Sequence, residues 1–261
     1  MRVNSFASRT AAVLAVSVLL LVQTVAAGDI TVMTSGAFTA AYLELLPQFE
    51  RATNDKLVTA ATTMGTGLAF IPTRLQRGEP ADVVIVNDDA LLQLIEDGLV
   101  LAGSRVELAR SNIGMAVRAG APRPDISSVA ALTATLLQAK SIAYSASVSG
   151  VYLTTELFQR LGIADQVLGK SRRIDTERVG AVVARGDAEI GFQQIAELLP
   201  VPGIDYIGPL PLEVQRPTVF SAGIAAKSAN VKAARALIEF LASPASAAAI
   251  TKSGMEPMAA R

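Results

Sequence analysis

Ser35 and Gly36 stand where a short apolar run, Ile30 to Thr34, gives way to helical spacing from Ala37, so a hydroxyl and the N–H groups of a helix start meet at one point. A helix N-terminus carries roughly half a positive charge and about four unpaired donors, and a glycine there lets a ligand approach the backbone. The chemistry this offers is anion binding. The device recurs at Ser145-Ala146-Ser147-Val148-Ser149-Gly150, where three hydroxyls and a glycine again lie between a strand-like and a helix-like segment. A third strand-to-helix turn, around Thr63, Met64 and Gly65, offers a hydroxyl and glycine backbone. Ser35, Gly36, Thr63, Met64, Gly65, Ser145, Ser147, Ser149 and Gly150 are therefore candidate ligand contacts.

Composition narrows the chemistry further. The chain has no cysteine and no histidine, which excludes disulfides, thiolate catalysis, imidazole bases and the usual zinc and copper ligand sets. Proton transfer would fall to carboxylates, tyrosines or lysines, and no metal or organic cofactor is called for. Aromatic residues make up 5% of the chain and tryptophan is absent, which argues against a stacking site for sugars or bases. Residues 1–27 read as a secretory signal peptide: Arg2 and Arg9, an apolar run from Ala11 to Val22, then Val25-Ala26-Ala27 before Gly28. That run is roughly 12 residues, short of the about 20 needed to span a bilayer. Loss of the two signal arginines leaves 21 bases against 23 acids, a balance that does not suggest nucleic acid as a partner.

These residues are positioned by alternating strand-like and helix-like segments, the pattern of an α/β protein. Phe38, Tyr42, Leu45, Leu46 and Phe49 give one face of a first helix, Leu57 to Ala61 a second strand, and Gly67 to Arg77 a second helix. Val83-Val84-Ile85-Val86 has no polar alternation, as in a strand buried on both faces of a parallel sheet. Ala90 to Glu96 is helical, with Asn87 and Asp88 as its cap, and Asn112 to Arg118 is a strand. Residues 119–125 are turn-rich and read as a connection or domain boundary. Ser141 to Tyr144 then forms a strand and Val151 to Leu161 a helix. Ile190 to Phe192 runs into Gln193-Gln194 and a helix to about Leu199; residues 200–217 read as irregular, Thr218 to Ala225 as a strand and Val231 to Ala242 as a helix. Lys170, Arg172 and Arg173 read as a solvated face, and Glu156 with Arg160 as an i,i+4 ion pair.

Taken in order, Thr34-Ser35-Gly36, Thr63-Met64-Gly65-Thr66-Gly67, the stretch from Arg77 to Ile85, Ser149-Gly150-Val151-Tyr152, the stretch from Arg185 to Gly191 and the stretch from Phe240 to Ala247 resemble the molybdate-binding family of periplasmic solute-binding proteins. The resemblance covers essentially the whole chain beyond residue 27. It implies a two-lobe α/β fold of the type 2 periplasmic binding class, with ligand gripped between lobes joined by two crossing strands. The lobes would be residues 28–113 plus 219–261, and 114–218, with crossings near Asn112 to Arg118 and Thr218 to Ala225. As a receptor such a protein would serve a membrane permease; otherwise a monomer is expected.

The departures from the family carry as much information. Where molybdate binders place a tyrosine hydroxyl after the Gly-Ile type strand, this chain has Gln194, preceded by Gln193, and the first-lobe loop reads Thr63-Met64-Gly65 where serines are usual. Amides both donate and accept, which suits an organic polycarboxylate better than a fully ionised oxyanion. The sequence is more similar to a divergent branch described as periplasmic aconitate isomerases. That resemblance implies an enzyme shifting a proton along the allylic system of a tricarboxylate; the alternative is the solute-binding protein of an ATP-driven importer for a small anion. A base for the proton shift would come from Tyr144 or Tyr152, or from Asp88 or Glu177; a tyrosine would need its pKa well below about 10.

Overall fold

The computed structural model describes residues 28–60 and 68–258, so Thr63, Met64 and Gly65 and the segment 1–27 lie outside the described residues. The first part of the chain lays down β1 (Asp29–Thr34), α1 (Gly36–Thr53), β2 (Lys56–Ala60), α2 (Ile71–Gln76), β3 (Val83–Asn87), α3 (Asp88–Glu96) and β4 (Val106–Ser111). The middle part follows with β5 (Ile113–Arg118), α4 (Val129–Gln138), β6 (Ile142–Ser145), α5 (Val148–Tyr152), α6 (Phe158–Arg160) and α7 (Ala164–Val167). Then come β7 (Ser171–Ile174), α8 (Val179–Ala184), β8 (Ile190–Gln194), α9 (Ile195–Leu198) and β9 (Ile204–Pro209). β10 (Thr218–Ile224), α10 (Val231–Leu241), α11 (Ala247–Lys252) and β11 (Glu256–Pro257) complete the described chain.

The strands form two sheets, one of six strands in the order β11-β4-β10-β3-β1-β2 and one of five in the order β7-β6-β8-β5-β9. In the first, β1 runs parallel to β2 and β3, while β10 is antiparallel to β3 and β4. In the second, β6 runs parallel to β7 and β8, and β5 is antiparallel to β8 and β9. Each sheet has helices on both faces. Val83 and Ile85 of β3 join the core under α1 and α10, whereas Val84 and Val86 join the core under α2 and α3. The unbroken apolar run is thus explained by burial on both sides.

The chain changes sheet at Asn112, between β4 and β5, and again along residues 210–217, between β9 and β10. β10 lies wholly in the first sheet, so the second crossing precedes Thr218 and does not follow it. Residues 119–125 join β5 to α4 within the second unit and mark no boundary. The stretch 200–217 is less irregular than its prolines and glycines suggest, because Ile204–Pro209 pairs with β5 as an edge strand. α5 passes into α6 through a wide π turn, Leu153–Leu157, inside the span read as one helix.

Close approach fixes Gly150. A Cβ there would stand 1.7 Å from the Ser145 carbonyl oxygen and 2.8 Å from the Tyr144 ring. The glycine lets α5 lie against β6 and sets the depth of the loop between them, so packing alone requires it. Gly150→Ala is expected to destabilise the protein by about 3 kcal/mol or more, since backbone must move to accept the methyl group, and urea denaturation measures it.

Candidate functional site

Parallel strands direct their C-terminal ends, and the N-termini of the helices that follow, toward one edge of a sheet, where ligands of open α/β sheets bind. Here four such strand-to-helix turns face one cleft, two from each sheet. β1 delivers Ser35 and Gly36, β3 delivers Asn87, β6 delivers Ala146 and Ser147, and β8 delivers Gln194 and Glu197. With Phe70, Ile71 and Phe220 these residues enclose a chamber of about 130 Å³.

Ser35 is the N-cap of α1, yet its side chain makes no cap hydrogen bond. Its backbone is secured, N–H donating to the Ile85 carbonyl at 2.8 Å and carbonyl accepting from Thr39 Oγ1 at 2.9 Å. Its Oγ is buried with no partner. A buried hydroxyl without a partner costs about 1–3 kcal/mol, and this one leaves a hydrogen-bonding group unused at the chamber wall. Asn87 caps α3, its Oδ1 accepting from Ala90 N at 3.0 Å.

The serine loop divides. Ser147 Oγ faces the chamber, accepts from Ser145 Oγ at 2.8 Å and shares a hydrogen bond of 3.2 Å with Ser149 Oγ. Ser145 is fully buried, is engaged by Ser147 through both oxygen and backbone N–H, and borders no part of the cleft. Ser149 lines an adjoining outer chamber.

The two glutamines also part company. Gln193 is fully buried and its Oε1 accepts from Val179 N at 2.9 Å, at the start of α8; it is not a cleft residue. Gln194 reaches the chamber wall, but its amide is fixed at the crossings. Oriented so that both ends are satisfied, its oxygen accepts from Thr218 Oγ1 at 2.9 Å and its nitrogen donates to Ser111 Oγ at 2.9 Å. It joins β4, β8 and β10 where the two sheets meet.

None of the expected bases lines the inner chamber. Tyr144 packs beside Gly150 and lines neither chamber. Tyr152 is buried and donates its hydroxyl to the Val214 carbonyl at 2.7 Å, and burial raises its pKa, the opposite of what a phenolate base needs. Asp88 is held by Arg105 at 2.6 and 2.7 Å and accepts from Ser221 Oγ at 2.6 Å; although burial opposes it, these contacts keep its pKa low. Glu177 is half-buried and paired with Arg185 at 2.7 Å. Glu156 does not pair with Arg160; it pairs with Arg216 across the crossing segment, while Arg160 Nη1 donates to the Tyr152 hydroxyl at 3.3 Å. Lys170 caps carbonyls of Leu137 and Ala139, and Arg173 pairs with Asp175.

Glu197 is the ionisable side chain among the described residues lining the inner chamber. It is 2% exposed, it lines the chamber, and burial pushes its carboxyl up to about 7 against the lowering effects of the Arg178 charge and a hydrogen bond from Gln193. Because the Gln193 oxygen is taken by Val179 N, its NH2 is the end that serves Glu197. A carboxyl poised near neutrality in a dry cleft is suited to general base work. The available signal was an acid set among Ile195, Ala196, Leu198 and Leu199, three residues beyond the strand end at Gln194.

The sequence profile of the bacterial extracellular solute-binding protein family matches residues 30–256. The chain belongs to this family. Among curated relatives it is 48% identical to an aconitate isomerase from Pseudomonas sp. over 233 residues, 89% of each chain. Among solved structures it superposes on the periplasmic molybdate-binding protein of Azotobacter vinelandii with a TM-score of 0.70 at 21% identity, over 89% of this chain and all of that one. A tungstate-binding protein from Desulfovibrio alaskensis G20 gives 0.63 at 17% identity, over 90% of this chain and all of that one. At these identities the structural neighbours bear on the fold alone, which is that of two-lobe type 2 binding proteins.

Within this solute-binding scaffold, the cleft hydroxyls and the buried tyrosine behave differently on removal. Tyr152→Phe is expected to lose about 1 kcal/mol in urea denaturation, from the carbonyl left without its donor. Ser35→Ala is expected to leave stability unchanged or raised, because its hydroxyl makes no bond in the empty cleft.

Proposed function

We propose that this protein is an isomerase that interconverts cis- and trans-aconitate by moving one proton along the allylic system, with Glu197 as the base. The observation that carries the reading is a buried carboxyl, its pKa raised to about 7, in a cleft where strand-to-helix turns of both sheets converge. A receptor that only holds a polyanion gains nothing from a second carboxylate in its cleft, whereas an allylic proton shift requires a base there. The relative named as an aconitate isomerase supplies the substrate class.

The steps balance without a co-reactant. Ionised Glu197 takes a proton from the methylene carbon, and the C–H electron pair delocalises over the allylic carbons and adjoining carboxylates. The charge that builds on oxygen meets the free Ser35 hydroxyl and the N-terminal turn of α1, donors already in place before the reaction. Protonated Glu197 then forms a C–H bond at the other end of the allylic unit, the double bond settles in its new position, and the carboxylate is regenerated. Closure of the lobe built on the six-stranded sheet against the lobe built on the five-stranded sheet excludes water while the carbanion exists. The protein acts as a periplasmic monomer after removal of residues 1–27. The importer-receptor reading, with a permease partner, rests on the scaffold, and one scaffold hosts both activities.

Glu197→Gln is expected to lower kcat by about 100- to 10,000-fold. In the wild type kcat/KM should rise with pH to a plateau, with an apparent pKa of about 7, because the free enzyme must be deprotonated at this residue. Stability provides an independent check. An acid whose folded pKa is raised from 4.5 to about 7 binds more protons folded than unfolded between those values. Wild-type stability should therefore fall by about 3 kcal/mol from this group as pH rises through that window. Glu197→Gln should lack this loss, as read by urea denaturation at pH 4.5 and pH 8. Full turnover in Glu197→Gln would overturn the assignment.

A further inference from the structure

The inner chamber continues past Asn87 and Val148 into an outer one of about 350 Å³, bordered by Ser149, Tyr152, Glu156, Arg216 and Thr218. The inner chamber contains one ionisable residue, Glu197, and no cation. A tricarboxylate whose reactive end faces a carboxyl needs a positive charge elsewhere in the cleft. Among the described residues that line either chamber, Arg216 is the only lysine or arginine, and residues 61–67 contain neither.

We propose that Arg216 binds the substrate carboxylate on the vinyl carbon, the terminal one furthest from the methylene, by exchanging Glu156 for it. This rests on the isomerase reading. Arg216 lies on the crossing segment 210–217 and its backbone is well held. Its N–H donates to Gln215 Oε1 at 3.1 Å, and the same oxygen accepts from Ile113 N at 2.9 Å while Gln215 Nε2 donates to the Ile113 carbonyl at 2.9 Å. The guanidinium is 5.4 Å from the Tyr152 ring centroid. Its bond to Glu156 joins side chains that are 54% and 48% exposed, a pairing that contributes little and yields readily to a ligand. The planar fork then meets a substrate carboxylate with two parallel hydrogen bonds. The remaining acids make the arginine necessary: Asp88 is already held by Arg105, Asp89 is exposed, and without Arg216 the only charged side chains lining the outer chamber are carboxylates.

The test is calorimetric binding of cis-aconitate and of itaconate, which lacks the carboxylate on the vinyl carbon, to wild type, Arg216→Gln and Glu156→Gln. Arg216→Gln is expected to weaken cis-aconitate about 10- to 100-fold and to leave itaconate within about twofold, whereas Glu156→Gln holds or tightens cis-aconitate. In turnover the arginine variant should raise KM with kcat little changed, the mark of an interaction equal in ground and transition states. Equal loss for both acids, or no loss for cis-aconitate, overturns the assignment of Arg216. Wild-type protein that binds and converts cis-aconitate alongside such a result leaves the isomerase reading standing; wild-type protein that binds neither acid overturns both.

Discussion

Glu197 is dry because the short helix that carries it is packed between the two halves of the molecule. β8, a strand of the second sheet, leads into α9, yet Ala196 of α9 sits in the core of the first sheet. From the other side Gly254 approaches so closely that a Cβ there would stand 2.6 Å from Leu199 and 2.8 Å from Ile195. A carboxylate taken out of water without a cation in contact raises its pKa until the neutral form competes. Packing of four residues at the pivot therefore produces the proton affinity on which the proposed chemistry depends.

The same placement reconciles a moving scaffold with a fixed reactive group. When the lobes of such a fold close, their rims travel furthest and the pivot least. Ser35 and Asn87 belong to one wall, Ser147 to the other, and Glu197 to the floor where both meet. Gln194, bonded to Ser111 and Thr218, ties three strands together at that floor. Gln193 passes the register of α8 to the carboxyl through one amide. The donors can open to admit ligand while the base keeps its surroundings.

Much of this was legible in the residues alone. The α/β alternation, the turns at Ser35 and Ser147, the double burial of Val83 to Val86 and the cap at Asn87 follow from local pattern, and local pattern is what forms them; the division into two lobes came from the family resemblance. The base was not legible, because what distinguishes Glu197 from any other glutamate is burial by Ala196 and Gly254, partners brought in from distant parts of the chain. Tyr152 drew attention as a hydroxyl beside the serine loop, but its oxygen turns to the Val214 carbonyl on a segment 62 residues away. Gln193 and Ser145 were misread for the same reason: a polar side chain at a strand end serves a ligand or the fold according to which groups surround it. The edge strand Ile204–Pro209 was hidden by Pro and Gly, which edge positions tolerate.

The central claim is that this scaffold performs catalysis on a tricarboxylate. It is tested most directly by following purified protein with cis-aconitate by proton NMR, beside a protein-free control and a thermal-shift comparison with molybdate. The account predicts trans-aconitate appearing at a rate proportional to protein concentration. No isomer formed, together with a melting temperature raised by molybdate alone, would contradict it and leave an oxyanion receptor.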